Sequence, residues 1–237
     1  MKVGIIGAMQ EEIEQMKAEM DIQLKSNKAG VTFYEGTMLD HEIVLCKSGV
    51  GKVNAALTTQ ILIDTYKMTH LIFTGVAGGL LEELNVGDIV VSTSALQHDI
   101  DGSALGFKKG EIPMHEGTSD FVADPTLVKI AEQAAIELSV AEVIKGRILS
   151  GDQFVADRDK VISLREEFEG VCVEMEGAAV AQVAALNEIP FVIIRSISDK
   201  ANGEASLSFA DFTKLASKQS HDFVCKMLMK LSPENKL

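Results

Sequence analysis

The stretch that decides the fold is VCVEMEGAAVAQVAALNEIPFVIIRSISDKANGE, which covers Val171–Glu204. Its pattern predicts a buried strand ending in carboxylates, then an almost entirely apolar helix over Gly177–Leu186. A second apolar run, Phe191–Ile194, predicts an interior strand that leads into Arg195 and then into a loop with Asp199. Buried charges are costly unless they are paired, so this stretch requires partners for its charged side chains.

The charges at these strand ends have two interpretations. The first is a buried ion pair between Arg195 and one of the glutamates, which would stabilise the fold and do nothing else. The second is a ligand site, because α/β folds place their ligands at the carboxyl ends of strands. The second is favoured because Ser196, Ser198 and Asp199 follow shortly after the strand.

Length and charge restrict the class of protein. The 237 residues fit one large domain or two small ones, with enough chain to bury a sizeable core. A formal net charge of −13 argues against nucleic acid or an anionic membrane as a partner. The apolar start MKVGIIGAM is too short for a signal peptide, and no segment is apolar for long enough to span a bilayer. We therefore expect a cytoplasmic protein that contacts neither membrane nor nucleic acid.

The sequence contains no recognisable cofactor or metal motif. Cys46, Cys172 and Cys225 are far apart and typical of reduced core residues, and the five histidines form no close ligand set. The glycines of Gly75–Gly79 lack the G-x-G-x-x-G spacing of a dinucleotide site, and Ser48–Lys52 is not a phosphate-binding P-loop. We therefore expect neither a metal nor an organic cofactor.

The rest of the chain predicts alternating strands and helices. The further predicted strands are Lys2–Gly7, Phe33–Leu39, Glu42–Lys47, His70–Thr74, Ile89–Ser94 and Val143–Leu149. The further predicted helices are Gln10–Met20, Lys52–Tyr66, Pro125–Leu138, Asp159–Phe168 and Ser208–Leu231. Residues 95–124 predict a long loop of the kind that contacts ligands or partners, and residues 232–237 predict a frayed tail. We expect one α/β domain over residues 1–237, with a central mixed sheet flanked by helices.

Two segments at the start of helices have a plain interpretation beside a functional one. Glu12 lies at the edge of the apolar face of the first helix, and its pattern alone indicates a surface acid stabilised by the helix dipole. The glycine-rich turn before Lys52 either exposes backbone N–H groups to a small ligand or connects a strand tightly to a helix.

Short motifs of small and charged residues occur in a characteristic order along nearly the whole chain. They are GIIGAM-x-EE (Gly4–Glu12), SG-x-GK-x-NAA (Ser48–Ala56), TG-x-AGG (Thr74–Gly79), NVGD (Asn85–Asp88), HD-x-D (His98–Asp101), SGD-x-F (Ser150–Phe154), VEME (Val173–Glu176) and R-x-x-SD (Arg195–Asp199). Through them the chain resembles the 5′-methylthioadenosine/S-adenosylhomocysteine nucleosidases of the purine nucleoside phosphorylase-like superfamily. The resemblance implies a nucleoside phosphorylase/hydrolase-like fold. It also implies hydrolysis of both nucleosides to adenine and the 5′-thioribose, in methionine salvage and S-adenosylmethionine recycling.

The resemblance implies a role for each charged residue of these motifs. Hydrolysis of a purine N-glycosidic bond needs an acid at N7 of the base, a base for the attacking water, and polar groups at the ribose. Asp199 would be the acid, supported by Ser198, and Glu12 would be the base. Glu176 would hold the ribose hydroxyls, while Arg195 would help to place the water and Glu176.

The resemblance also implies which residues contact the substrate. Adenine would lie against Phe154, with backbone groups of Val155 at its edge. Glu174 would support the reacting groups rather than react. The other implied contacts are Met175 on the sugar, Met9, Val50 and Phe209 around the apolar 5′-alkylthio group, and the small-residue segment Val76, Ala77 and Gly78.

The long loop carries the implied oligomeric state. In this family the neighbouring subunit closes the pocket with this loop, here through Gly102, Leu105 and Pro113, so we expect a homodimer. The family commonly has a branched residue and Phe where this chain has Gly102 and Leu105, which suggests a wider 5′ pocket. It also commonly has Ser at the position of Val76, so the hydrogen bonding around the attacking water should differ here.

Three alternative functions remain open. A purine nucleoside phosphorylase would need an arginine-lined phosphate pocket, but the chain has only four arginines and carries Met9–Glu12 where phosphorylases have a glycine-rich phosphate loop. A glutamate there repels phosphate, so hydrolysis is favoured. A hydrolase of another 5′-modified adenosine, such as aminofutalosine, is the second alternative. A non-catalytic nucleoside-binding module is the third, although it would need neither a water-side base nor a leaving-group acid.

Overall fold

The structure, a computed structural model, describes residues 1–138, 143–199 and 205–231. The strands are β1 (Lys2–Gly7), β2 (Asp21–Lys28), β3 (Val31–Met38), β4 (His41–Lys47), β5 (His70–Gly79), β6 (Ile89–Gln97), β7 (Asp120–Val122), β8 (Val143–Ser150), β9 (Gly170–Glu174) and β10 (Phe191–Asp199). The helices are α1 (Gln10–Glu19), α2 (Lys52–Tyr66), α3 (Pro125–Leu138), α4 (Arg158–Phe168), α5 (Gly177–Leu186) and α6 (Ala205–Lys230). A short 3₁₀ turn lies at Ser103–Leu105. The predicted tail, residues 232–237, lies outside the described residues.

The described strands form one mixed sheet, which confirms the predicted fold class. Its order is β10-β6-β8-β9-β5-β1-β4-β3-β2, with β7 beside β6. Because β5 pairs with β10 as well as with β9 and β1, the strands β5, β10, β6, β8 and β9 close into a ring, from which β1, β4, β3 and β2 extend. β1, β4, β5 and β10 are parallel, whereas the β2–β3–β4 segment and the β10–β6 and β5–β9 pairs are antiparallel.

Helices cover both faces of the sheet and bury its apolar side chains. One core cluster joins the sheet to α2 and α5, and a second joins it to α1, α3 and α6. The segment Phe191–Ile194 at the start of β10 is almost completely buried, as its apolar run predicts. Each aliphatic side chain removed from water in this way contributes roughly 1.5–3 kcal/mol. Among the described residues, no helix is long and apolar enough to cross a membrane.

Several predicted boundaries were wrong, each for a physical reason. The strand β2 was not predicted, because it is an exposed edge strand of mostly polar residues and shows no alternation. Both β5 and β10 extend beyond their apolar runs, through Gly79 and Asp199, because small and polar residues there still form ladder hydrogen bonds. Asp199 is therefore the last residue of a strand rather than part of a loop. The predicted loop 95–124 contains the end of β6, the 3₁₀ turn and β7.

This topology brings distant motifs to one edge of the sheet. The carboxyl ends of β1, β5 and β10 meet there because these strands are parallel. β9 crosses the end of β5 with Gly78 opposite Val173, so the following acids Glu174 and Glu176 arrive at the same place. The site expected at the strand ends is therefore shared by four strands.

Candidate active site

A cavity of about 260 Å³ lies at this edge of the sheet. Most of the predicted site residues line it, namely Met9, Glu12, Val50, Val76, Ala77, Gly78, Phe154, Val155, Glu174, Met175, Glu176, Ser198 and Asp199. Ala8, Gln153 and Val173 also line it and were not predicted individually, although each is next to a motif residue. Its volume is somewhat below the usual range for small-molecule sites, and its wall is largely apolar with a few acids.

Glu12 lies in the wall of this cavity and is only 6% exposed, so the surface-acid interpretation of its pattern was wrong. Its side chain folds back over the start of α1, where Oε2 accepts hydrogen bonds from the backbone N–H groups of Ala8 (2.6 Å) and Met9 (2.9 Å). Oε1 accepts a third from the N–H of Val76 on β5 (3.1 Å). These donors hold the carboxylate in one orientation.

Gly75 makes room for this carboxylate. A Cβ atom at this position would overlap Oε1 and lie 2.8 Å from Cδ of Glu12. The TG-x-AGG motif therefore has a steric meaning here, because β5 can pass beside the acid only without a side chain. The register pairs Gly75 with Arg195 on β10, which brings a positive charge to the same level of the sheet.

The pKa of Glu12 is raised, because burial disfavours the charged carboxylate. The positive charge of Arg195 and the three backbone donors act in the opposite direction and favour ionisation. The raised pKa makes Glu12 a stronger proton acceptor than an ordinary glutamate, and the donors keep its carboxylate in place.

Asp199 is the last residue of β10 and lines the same cavity as Glu12. The β10–β5 register shifts between Ile197 and Asp199, so that Ser198 is the extra residue and Asp199 pairs with Gly78. Ser198 donates a hydrogen bond from Oγ to Oδ1 of Asp199 (2.7 Å). Both side chains are buried and both line the cavity. The bulge places the hydroxyl and the carboxylate side by side.

Glu176 lies between β9 and α5, and its carboxylate is held by the glycine-rich turn that precedes α2. The backbone N–H of Gly51 donates to Oε1 of Glu176 (2.7 Å), so the glycine-rich turn binds a protein carboxylate with this group. Gly51 has φ 98°, a conformation that favours glycine. Burial, followed by the negative charge of Glu174, raises the pKa of Glu176 to about 8.

Arg195 and Glu174 form a buried ion pair, of which Glu174 lines the cavity and Arg195 lies behind it. The distance from Nη2 of Arg195 to Oε2 of Glu174 is 2.7 Å, and the guanidinium lies 4.0 Å from the ring centre of Phe73. Glu174 also accepts hydrogen bonds from Ser150 Oγ and from the N–H of Gly177. The buried ion pair of the first interpretation is therefore present, beside the cavity that the second interpretation expects. The side-chain hydrogen bonds of Arg195 run to Glu174 and backbone carbonyls, and among the described residues none runs to Glu176.

A network of charged groups joins three loops at the mouth of the cavity. Lys52 Nζ lies 2.5 Å from Asp99 Oδ1, and the N–H of Asp152 donates to Asp99 Oδ2 (2.9 Å). The N–H of Lys52 in turn donates to Asp152 Oδ1 (2.8 Å). Because Gly51 and Phe154 belong to the joined loops, this network fixes both the donor to Glu176 and one side of the mouth.

The remaining predicted contacts lie at the rim or away from the cavity. Val50 and Phe154 line the cavity although they are 49% and 52% exposed. Leu105 is 69% exposed and outside the lining, while a Cβ on the buried Gly102 would lie 2.7 Å from Pro113 Cγ. Phe209 belongs to α6, but its side chain lies outside the described residues.

Comparison with known proteins extends over nearly the whole chain. The model of the phosphorylase superfamily matches residues 2–229. The 5′-methylthioadenosine/S-adenosylhomocysteine nucleosidase of Bacillus pumilus is 43% identical over 229 residues, which cover 96% of this chain and 98% of the relative. The structure of the same enzyme from Neisseria meningitidis, in complex with methylthio-immucillin-A, has a TM-score of 0.93 and 39% identity, covering 97% of this chain and 99% of that one.

One related structure is that of an enzyme with a different named activity. Futalosine hydrolase of Helicobacter pylori has a TM-score of 0.93 and 35% identity, and the alignment covers 97% of this chain and 98% of that one. Fold and site together define a nucleoside-cleaving α/β protein of the phosphorylase superfamily. Within that class, the chain belongs to the family of 5′-methylthioadenosine/S-adenosylhomocysteine nucleosidases.

Proposed function

We propose that this protein hydrolyses the N-glycosidic bond of 5′-methylthioadenosine and S-adenosylhomocysteine, releasing adenine and the 5′-thioribose. The observation that carries the proposal is that two buried acids, Glu12 and Asp199, line the same largely apolar cavity. A nucleoside-binding module would need neither a fixed carboxylate that deprotonates water nor an acid that protonates the leaving base. The family membership of the chain supports the same reaction.

Glu12 is the proposed base for the attacking water. Its three backbone donors fix the carboxylate, and its raised pKa makes it a stronger proton acceptor than an ordinary glutamate. Arg195 lies close enough for its charge to favour the ionised form of Glu12. Val76 supplies a backbone N–H to Glu12 but no hydroxyl, so water is positioned here without the side-chain donor that serine would provide.

Asp199 is the proposed acid that holds a proton at N7 of adenine. Protonation there lets the base leave as a neutral molecule, which lowers the barrier to breaking the bond to ribose. Ser198 orients the Asp199 carboxyl group through their 2.7 Å hydrogen bond. Phe154 and Val155 both line the cavity, where Phe154 would provide a flat apolar surface for the base and the backbone of Val155 would contact its edge.

Glu176 is the proposed partner of the ribose hydroxyls. Oε1 is held by Gly51, and the carboxyl group faces the cavity beside Met175, which would pack on the sugar. Arg195 and Glu174 would act through position and charge, since Arg195 lies behind the lining and the Glu174 carboxylate is already bonded to Arg195, Ser150 and Gly177. They stabilise the geometry of the acids rather than contact the reacting atoms.

Homodimer formation is part of the proposal, as is action in the cytoplasm. Apolar side chains that line a cavity yet remain half exposed, here Val50 and Phe154, favour a cover beyond what the described residues supply. Leu105 projects from the long loop and is the residue suited to cover the partner's cavity. Light scattering of the purified protein should give twice the chain mass, and Leu105→Ser should raise KM for 5′-methylthioadenosine more than it lowers kcat.

The decisive experiment is adenine release from 5′-methylthioadenosine by purified protein, with and without phosphate. We expect release that does not depend on phosphate, with free 5-methylthioribose as the product. Release only with phosphate, giving the sugar 1-phosphate, would instead identify a phosphorylase. Release under neither condition would contradict this substrate.

A second candidate substrate is another 5′-modified adenosine, because a futalosine hydrolase has the same fold at 35% identity. Aminofutalosine is therefore the appropriate competitor in the assay. We expect a lower kcat/KM for it than for 5′-methylthioadenosine, and the opposite order would favour the alternative. The same assay with S-adenosylhomocysteine tests the wider 5′ pocket suggested by Gly102 and Leu105. An ordinary ratio of the kcat/KM values for the two thio substrates would contradict a wider pocket.

A further inference from the structure

A cluster of ligand-type side chains lies at the contact between α1 and α6, outside the active-site cavity. His221 and Cys225 are four residues apart on α6 and therefore lie on the same side of the helix. Glu19, the last residue of α1, meets them there although it is 202 positions away from His221 in sequence. Within the described part of the chain, this is the group of His, Cys, Asp and Glu side chains whose ligand atoms come together, all within 4.8 Å of one another.

The distances match those between ligands around one metal ion. Nε2 of His221 is 3.2 Å from Oε1 of Glu19 and 3.5 Å from Sγ of Cys225. Ligands bound tetrahedrally at about 2.0–2.3 Å from a zinc ion are about 3.3–3.6 Å apart. The remaining pair, Glu19 and Cys225, needs at most a small rotation of Glu19, whose side chain is 52% exposed.

Hydrogen bonds can link the three groups without a metal, but one of these links is long. In the neutral imidazole, Nε2 can donate to Oε1 of Glu19, and Nδ1 then accepts from the Cys225 thiol over 3.8 Å. A thiol is a weak donor, and the sulfur lies nearer to Nε2, at 3.5 Å. A cation bound to Nε2, the carboxylate and the sulfur replaces these contacts by three metal–ligand bonds.

We propose that Glu19, His221 and Cys225 bind a divalent cation of the zinc type, with a water molecule as the fourth ligand. Thiolate, imidazole and carboxylate together select zinc over calcium or magnesium. The two negative ligands neutralise its charge, and Asp222, with Oδ1 4.0 Å from Nε2, adds to the negative field.

Binding requires loss of the thiol proton. Burial, followed by the charges of Glu19 and Asp222, raises the pKa of Cys225 to about 12, so the metal-free protein holds a neutral thiol. Coordination replaces the S–H bond by a metal–sulfur bond and releases the proton to solvent, while the imidazole carries its proton on Nδ1. The expected consequence is a cross-link between the end of α1 and α6. Because α1 also carries Glu12 near its other end, the cation would stabilise the helix that supports the proposed base.

The test uses the full-length protein, stripped with a chelator and titrated with Zn²⁺ by calorimetry and with Co²⁺ by absorption. We expect one ion per chain, a thiolate-to-cobalt band, and a higher Tm with Zn²⁺. Cys225→Ser should abolish the band, and Glu19→Gln should weaken Zn²⁺ binding by at least about tenfold. Matched controls are Cys46→Ala, which removes a thiol elsewhere, and Glu14→Gln, which removes an exposed acid from the same helix.

Clear outcomes overturn the proposal. Absence of a cobalt–thiolate band in the parent protein would do so, and so would a band that persists in Cys225→Ser. Zn²⁺ affinity that is unchanged in Glu19→Gln would remove Glu19 from the site even if Cys225→Ser failed to fold. Because Glu19 lies outside the cavity, adenine release by Glu19→Gln also shows whether that variant is folded.

Discussion

Helix α1 carries a glutamate near each end, and the two differ in almost every physical respect. Glu12 is 6% exposed and accepts three backbone hydrogen bonds, two of them from residues only a few positions away. The Glu19 side chain is 52% exposed, and its partner His221 comes from the opposite end of the chain. One glutamate is part of a short motif that can be read along the sequence, whereas the other acquires a role only through the packing of two helices.

The comparison separates two kinds of chemistry. At the cavity, burial raises the pKa values of Glu12 and Glu176, and fixed donors orient the carboxyl groups for proton transfer and sugar binding. At the α1–α6 contact, the ligand atoms of an imidazole, a thiol and an exposed carboxylate lie within 4.8 Å of one another, which is the ligand set of the proposed cation site. Substitutions at the two places should therefore change different measurable quantities.

The largest expected effect on catalysis belongs to Asp199→Asn. The amide cannot hold a proton for N7, so adenine would have to leave as an anion, and kcat should fall by about 10³- to 10⁴-fold. Binding of a non-reacting substrate analogue, measured by calorimetry, should stay nearly unchanged. Asp64→Asn, an exposed aspartate on α2, is the control. Near-normal turnover of Asp199→Asn would remove Asp199 from the acid role.

Glu12→Gln should lower kcat/KM by about 10²- to 10³-fold, because the water loses its base. The new amide NH₂ group also faces the backbone donors that now bind the carboxylate, so part of this hydrogen bonding is lost. The parent protein should show an acid limb in its profile of kcat/KM against pH, with an apparent pKa above the ordinary glutamate value. Glu14→Gln on the same helix should show the parental rate and profile.

Gly75→Ala tests whether the position of the Glu12 carboxylate matters as much as its presence. The added methyl group overlaps Oε1 and must displace the carboxylate. A displacement of about 1 Å can cost about 10²-fold in rate, so we expect a loss between tenfold and about 10²-fold in kcat/KM. Gly79→Ala is the matched control, since a Cβ there meets its nearest neighbour at an ordinary 3.4 Å. Equal activity of the two variants would contradict the steric role of Gly75.

Glu176→Gln tests the buried acid through the dependence of stability on pH. The carboxyl group has a pKa of about 8 in the folded chain and 4.5 as its ordinary value. The unfolded chain therefore binds fewer protons in this interval, and the stability contributed by the protonated group is present below pH 4.5 and lost as pH rises through 8. The Tm of Glu176→Gln minus that of the parent should increase from about pH 5 to about pH 8. The exposed Glu166→Gln provides the baseline, and a Tm difference that did not vary with pH would contradict the raised pKa.

Glu19→Gln should have the smallest effect on catalysis, with kcat/KM within about twofold of the parent, because Glu19 does not line the cavity. Its distinguishing effect should be loss of the Tm increase on addition of Zn²⁺. A large fall in activity without metal would show that the two ends of α1 are more strongly coupled than their different surroundings indicate.

Much of the fold could be predicted because apolar periodicity marks elements that are buried. The bounds of α2 and α5 agree with their predicted spans, and β1 does as well. β2 was missed because an edge strand with exposed side chains carries no such pattern. The ends of β5 and β10 were placed too early because ladder hydrogen bonds continue through the glycines and polar residues of the site.

The candidate site was predictable in composition but not in its contacts. The motifs contain Glu12, Glu176 and Asp199, and the structure brings all three to one cavity. Their hydrogen-bond partners were not predictable, since the donor to Glu176 is the N–H of Gly51 from a turn 125 positions away. Nor does the sequence decide whether Arg195 pairs with Glu174 or Glu176, because both acids follow the same strand.

The sequence by itself determined the fold class, the motif residues and the family, since these depend on local periodicity and on short segments that keep their order. Only the tertiary structure decided which glutamate is buried, which acid pairs with Arg195 and which side chains from opposite ends of the chain meet at Glu19. The physical reason is that pKa values, hydrogen-bond geometry and metal affinity depend on distances of a few ångströms between residues remote in sequence. Such distances are set by how parallel strands and packed helices come together.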